Sequence, residues 1–177
     1  ALEAYVLRVT SWDGFIKLKT MLCQQADKIM QQHSCIVIDL ISDLEQLCIN
    51  TILNEKKIES LQDLTFGKGN AILKQRFTSA LADLMAIIPV SFIAHAQEKE
   101  IQWNGESIKL QAPTLSKATI DWLNGKVDAI MWMTPQGGKN TTPEICMKNT
   151  TTSIAGCRYR QLVKNFRFYP ENPSKTY

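Results

Sequence analysis

Two apolar runs in this chain stop on side chains that can do chemistry. Cys35-Ile36-Val37-Ile38 ends at Asp39, and Val90-Ser91-Phe92-Ile93-Ala94 ends at His95. A carboxylate is a hard oxygen donor, suited to a hydrated Mg2+ ion shared with phosphate oxygens. An imidazole can hydrogen-bond a phosphate and changes charge near neutrality. Asp is also a poor strand former, and a bare charge at the rim of a core is costly without a partner. Each residue has a plainer reading as well. Asp39 can cap a following helix, and His95 can close a strand or pack under a loop.

The elements around these residues decide whether they can meet. CIVID has no alternation, the pattern expected of a parallel strand covered on both faces, and VSFIA repeats it. In open parallel sheets, ligands bind outside the carboxyl ends of the strands. Four apolar residues closed by an acid is the Walker B pattern, whose carboxylate holds Mg2+. A polar group at a neighbouring strand tip is where P-loop ATPases sense the terminal phosphate. Before CIVID, Ala4–Val9 reads as a short strand. Ser11 then offers an N-cap to a helix carrying Phe15, Leu18, Leu22, Ala26 and Ile29 as far as about Gln32. A second helix starts near Ser42 with Leu44, Leu47, Cys48 and Ile52 on one face. A third, about 70–87, carries Leu73, Phe77, Leu81, Leu84 and Ile88, and Pro89 ends it. The second half changes style. KEIQW and ESIKL flank Asn104-Gly105, a strong hairpin signal. Ser116–Asn124 reads as a short helix, and 127–133 and 144–149 as strands. Strand–helix alternation followed by strand pairs predicts an α/β fold, parallel at the centre of its sheet and antiparallel toward one edge.

Composition narrows the function classes. The 177 residues, 45% hydrophobic and 21% charged, suit one core rather than two domains. No apolar window is long enough to span a bilayer, and no secretory leader is visible, so a cytoplasmic protein with no membrane contact is expected. Five cysteines without CxxC spacing and two histidines fit free, buried thiols, Cys35 included, better than a zinc site or a disulfide framework. Charge is uneven. From Thr150 onward there are five basic residues and one acid, against fifteen basic and sixteen acidic residues before it. Arg158, Arg160, Lys164 and Arg167 interleave there with Tyr159, Phe166, Phe168 and Tyr169. Cations can track phosphate while rings stack on bases, so the tail is a candidate contact for single-stranded DNA. Alternation can equally turn Phe166 and Phe168 onto the core and leave the arginines solvated.

A longer series of landmarks is recognisable. In order they are VTSWDGFIK leading a helix, CIVID, ADLMAIIPVSFIAHAQEKE closing a long helix, a hairpin, APTLSKATIDWLNGKVDAIMWM and EICMKN. The series, from about Val9 to Arg160, resembles the RecA-like P-loop ATPases of bacteriophages, the "AAA domain" nucleotide-binding family linked to single-strand annealing recombination. The resemblance implies a three-layer RecA-like P-loop NTPase core over residues 1–160, followed by the basic, aromatic tail 161–177. Its central sheet would be parallel, with antiparallel hairpins toward the C-terminal edge. ATP and Mg2+ are the implied cofactors, with Asp39 as the Walker B carboxylate and His95 as the sensor. Lys148 falls where related proteins place a lysine that reaches a neighbouring subunit's nucleotide; a solvent-facing lysine at a strand end is the other reading. A homo-oligomeric ring or filament acting on single-stranded DNA would follow.

One departure stands out. The family's phosphate loop, GxxxxGK(S/T), does not occur. PQGGKN and FGKGN hold Gly and Lys without the spacing, the hydroxyl or the preceding strand needed to wrap phosphates. The sequence as it stands is therefore expected not to hydrolyse ATP unless that loop is supplied by a preceding segment. The alternative is a non-catalytic DNA-binding or protein-interaction module on a degenerate RecA-like scaffold. An unrelated α/β hydrolase ranks last, because no GxSxG elbow is present.

Overall fold

The computed structural model describes residues 5–103, 106–134, 144–146 and 156–157. It is a mixed α/β structure that divides into two units. One comprises the residues up to His95 together with Thr114–Trp122; the other comprises Ala96–Pro113 and the residues from Leu123 on.

The first unit is built on helices packed against a small parallel sheet. Helix α1, Trp12–Gln24, begins where expected: extended Ser11 accepts the Gly14 N–H on its Oγ at 3.1 Å, and Asp13 sits in the first turn. Gln25 is non-helical, so the predicted long helix is two, and α2 covers Ala26–Met30. Strand β1, Ile36–Asp39, leads into α3, Ile41–Lys56, which ends on left-handed Lys57. Two tight turns follow. Ser60 and Asp63 form a reciprocal capping box in the first, and the second covers Thr65–Gly67. Helix α4, Lys68–Met85, then leads to β2, Val90–Ile93.

Helix α4 is the spine. Leu73, Phe77, Leu81 and Leu84, and Ile88 just beyond its end, are all 2% exposed or less, as their helical spacing predicts. Trp12 lies against both Phe15 and Phe77, with ring centroids 5.3 Å and 5.8 Å apart, which fixes α1 on α4. Strands β1 and β2 pair in parallel, Ile36 opposite Val90 and Asp39 opposite Ile93. Ile36, Ile38 and Val90 pack toward Ala26, Leu84 and Ile88.

In the second unit, β3 (Ala96–Trp103) and β4 (Glu106–Pro113) pair antiparallel from Ala96↔Pro113 to Trp103↔Glu106. The expected hairpin is present, and its Asn104-Gly105 turn lies outside the described residues. Helix α5, Lys117–Asn124, spans the boundary between the units. Short antiparallel pairs complete the second unit: β5 (Ala129–Ile130) with β8 (Gly156–Cys157), and β6 (Trp132–Thr134) with β7 (Glu144–Cys146).

Four expectations are corrected. Tyr5–Val9 forms no strand, and Tyr5, Val6 and Leu7 are exposed: it has no partner strand among the described residues to accept its backbone hydrogen bonds. The sheet is not covered on both faces, since β1 and β2 each alternate between half-buried and exposed residues, Val37 being 54% exposed. Cys35 is exposed for the same reason, one residue before the strand. The 127–133 strand is interrupted at Met131 and divides its pairing between β8 and β7.

Candidate functional site

The parallel register places Asp39 and the end of β2 at the same carboxyl edge of the sheet. Asp39 stands opposite Ile93, and His95 follows two residues later. Both side chains are exposed. The N-cap of α3 is Leu40 and carries no side-chain cap, so Asp39 does not serve the helix that follows it. Among the described residues Asp39 has neither a side-chain hydrogen bond nor an ion pair, and the Asp39–Leu40 peptide is cis. The His95 ring likewise has no partner there, while its carbonyl accepts the Thr114 N–H at 2.8 Å.

That backbone bond is one half of a clamp. Two residues after Thr114, Ser116 donates its N–H to Glu45 Oε2 at 2.8 Å and its hydroxyl to Glu45 Oε1 at 2.7 Å. Thr119 donates its hydroxyl to the same Oε1. Glu45 is only 4% exposed, on the face of α3 that also buries Ile41, Leu44, Cys48 and Ile52. With no cation paired to it among the described residues, this buried carboxylate is satisfied by these donors in place of water. The Thr114–Thr119 segment thus holds α3, which follows Asp39, and the chain carrying His95. Sequence reasoning missed Glu45. Its signal was an acid at an interior position of an otherwise apolar helical stripe.

The remaining candidates, and one charged residue close to His95 in sequence, are placed as follows. Glu98, near His95 in sequence, pairs with Lys109 across the hairpin at 2.8 Å. Lys148, Arg158, Arg160, Lys164 and Arg167 lie outside the described residues. No group of three or more His, Cys, Asp or Glu able to hold a metal exists among the described residues. A shallow groove of about 480 Å³ lies elsewhere, between α1 and the end of α4, lined by Lys19, Thr20, Cys23, Asp83 and Ile87.

Comparison with known families decides the broad class. A family model described as an AAA domain matches residues 3–159. The chain belongs to this AAA domain family. The family implies a P-loop NTPase fold, and AAA proteins typically bind ATP with Mg2+. Searches of curated proteins and of solved structures gave no significant match. No helix among the described residues is long and apolar enough to cross a membrane. For an AAA domain, the donor set at the strand ends fits the cation in part. Mg2+ keeps several waters and takes one or two carboxylates plus substrate phosphates, and Asp39 offers one exposed carboxylate with no side-chain partner among the described residues.

Proposed function

We propose that this AAA domain is the nucleotide-binding core of an ATPase that works on single-stranded DNA in phage or prophage recombination. The observation that carries the reading is the β1–β2 register, which brings an acid and a histidine, both without a side-chain partner among the described residues, to one sheet edge in a chain of this family. In this reading residues 1–160 form a three-layer RecA-like core, and 161–177 form a basic tail. Asp39 holds a hydrated Mg2+, and His95 hydrogen-bonds the terminal phosphate. When bound, the cation neutralises charge on the β- and γ-phosphates. Lys148 reaches the nucleotide of a neighbouring subunit in a ring or filament. Arg158, Arg160, Lys164 and Arg167 follow the DNA backbone, and the setting is cytoplasmic.

A second reading is a non-catalytic DNA-binding or interaction module on the same scaffold; it holds if the GxxxxGK(S/T) loop, which does not occur in residues 1–177, is not supplied by a preceding segment. Titration of a fluorescent ATP analogue, with and without Mg2+, separates the two. The first reading expects Mg2+-dependent binding that Asp39→Asn weakens about tenfold, the loss of roughly one charged contact. Thermal stability should be unchanged, because the side chain has no partner among the described residues to lose. Nucleotide binding indifferent to both Mg2+ and Asp39 would overturn the assignment of Asp39. No binding at all would favour the non-catalytic module.

A further inference from the structure

Phe66 is 98% exposed, the most exposed large apolar side chain among the described residues. Its backbone is in the left-handed region, φ 58°, and Gly67 follows at φ 69°. Gly can occupy that region freely, whereas a residue with a bulky side chain is disfavoured there. Neither burial nor backbone preference accounts for an aromatic ring at this position.

The turn just before the one that displays the ring, Leu61–Asp63, is firmly held. Ser60 Oγ accepts the Gln62 N–H at 3.2 Å, and Asp63 Oδ2 accepts the N–H groups of Ser60 and Glu59 at 2.8 Å and 3.1 Å. On the other side, Gly69 is so close to the turn that an added Cβ would lie 2.1 Å from the Leu61 carbonyl oxygen. The ring's own turn, Thr65–Gly67, is closed by the Lys68 N–H on the Thr65 carbonyl and sits between that capped turn and the start of α4, so the ring needs little ordering when it binds. The sequence around it is rich in lysine. The segment from Lys56 to Lys74 carries Lys56, Lys57, Lys68 and Lys74, all exposed and none in a salt bridge among the described residues. Its acids are Glu59 and Asp63, and the carboxylate of Asp63 is already engaged by the turn.

We propose that the Phe66 turn is a stacking contact for single-stranded nucleic acid, with Phe66 against a base and Lys68 beside the phosphates. The proposal rests on the nucleic-acid part of the function proposed above but uses residues far in sequence from the basic tail. An exposed ring in a lysine-rich segment whose cations form no salt bridge among the described residues matches a single strand, whose bases offer π faces and whose backbone is anionic.

The test is fluorescence anisotropy with labelled oligothymidylate and oligouridylate on the whole chain, its Phe66→Ala, Phe66→Trp and Lys68→Ala variants. Phe66→Ala should weaken binding about tenfold, in the range of one lost stacked base. Phe66→Trp should keep affinity, with its emission quenched on binding, and Lys68→Ala should flatten the salt dependence. The deoxy and ribo strands then show which nucleic acid is the natural source. Thermal midpoints for Phe66→Ala and Phe66→Gly should stay equal to or above that of the parent chain, so that a binding loss is not unfolding. If the parent chain binds and Phe66→Ala binds equally well, this proposal fails while the nucleic-acid reading stands. If Phe66→Ala changes only the sedimentation of the protein, the ring meets a second copy and the proposal is overturned. If the parent chain binds neither strand, both fail together.

Discussion

Cys48 is fully buried on α3, and burial pushes its thiol up to about 12, with the Arg76 charge pulling weakly the other way. A thiol so placed stays protonated and unreactive at neutral pH. Cys35, by contrast, is exposed just before β1. Brief alkylation of the native protein at pH 8, read by peptide mass mapping, should therefore modify Cys35 and spare Cys48. The raised value also has a sign for stability. Unfolded Cys48 loses its proton near 9.0 while the folded form retains it, so its contribution is present below that pH and lost as pH rises toward 12. Cys35 shows where single residues escape a sequence reading. A continuous apolar run conceals which residues alternate outward, and only the second layer, present or not, decides. Phe66 was hidden differently: an aromatic beside Gly in a polar stretch reads as a loop, and its left-handed backbone leaves no mark in composition.

Helix α4 and strand β1 differ in legibility for a physical reason. A helical stripe records its own burial, because residues at intervals of three and four must share one face. A four-residue strand records only that something apolar is near. The N-cap at Ser11 was legible because its hydroxyl acts within one turn, while the break at Gln25 depends on how α2 meets the core. The Glu45 clamp joins groups more than seventy positions apart, beyond any local pattern. Removing its acceptors should cost far more than altering its charge. Glu45→Ala leaves the Ser116 N–H and the Thr119 hydroxyl without their acceptor, while the Ser116 hydroxyl keeps only Thr119 Oγ1 at 3.0 Å, with an expected loss of about 2–4 kcal/mol. Glu45→Gln keeps one carbonyl oxygen for them and should cost about half as much. Urea unfolding midpoints for the two variants check both the direction and the order.

At the scale of the whole molecule, α3 and α4 are also joined at the surface by Arg76, which donates to both oxygens of Glu55 at 3.0 Å and 2.8 Å. These bonds hold the Glu55 carboxyl below its ordinary 4.5. On acidification the unfolded chain takes up that proton first. The stabilisation is therefore complete above the ordinary value and lost as pH falls through the lower folded one. With Glu55 half-exposed it amounts to at most about 1 kcal/mol. The gap in urea midpoint between the parent chain and Arg76→Met should favour the parent at pH 7 and narrow as pH is lowered below 4.5. Strand–helix alternation followed by hairpins made the mixed α/β character readable, whereas the division into two units was not, because chain crossings at His95 and Pro113 have no compositional signature. The β1–β2 pair also bears on how the chain reaches its native state. Ile36 meets Val90 only after α3 and α4 have intervened, so closing that loop sacrifices chain entropy before any strand bond forms. Helices made of local contacts can form early, and the parallel ladder belongs to the late steps of folding. The edge that carries Asp39 and His95 is then among the last parts of the molecule to be assembled.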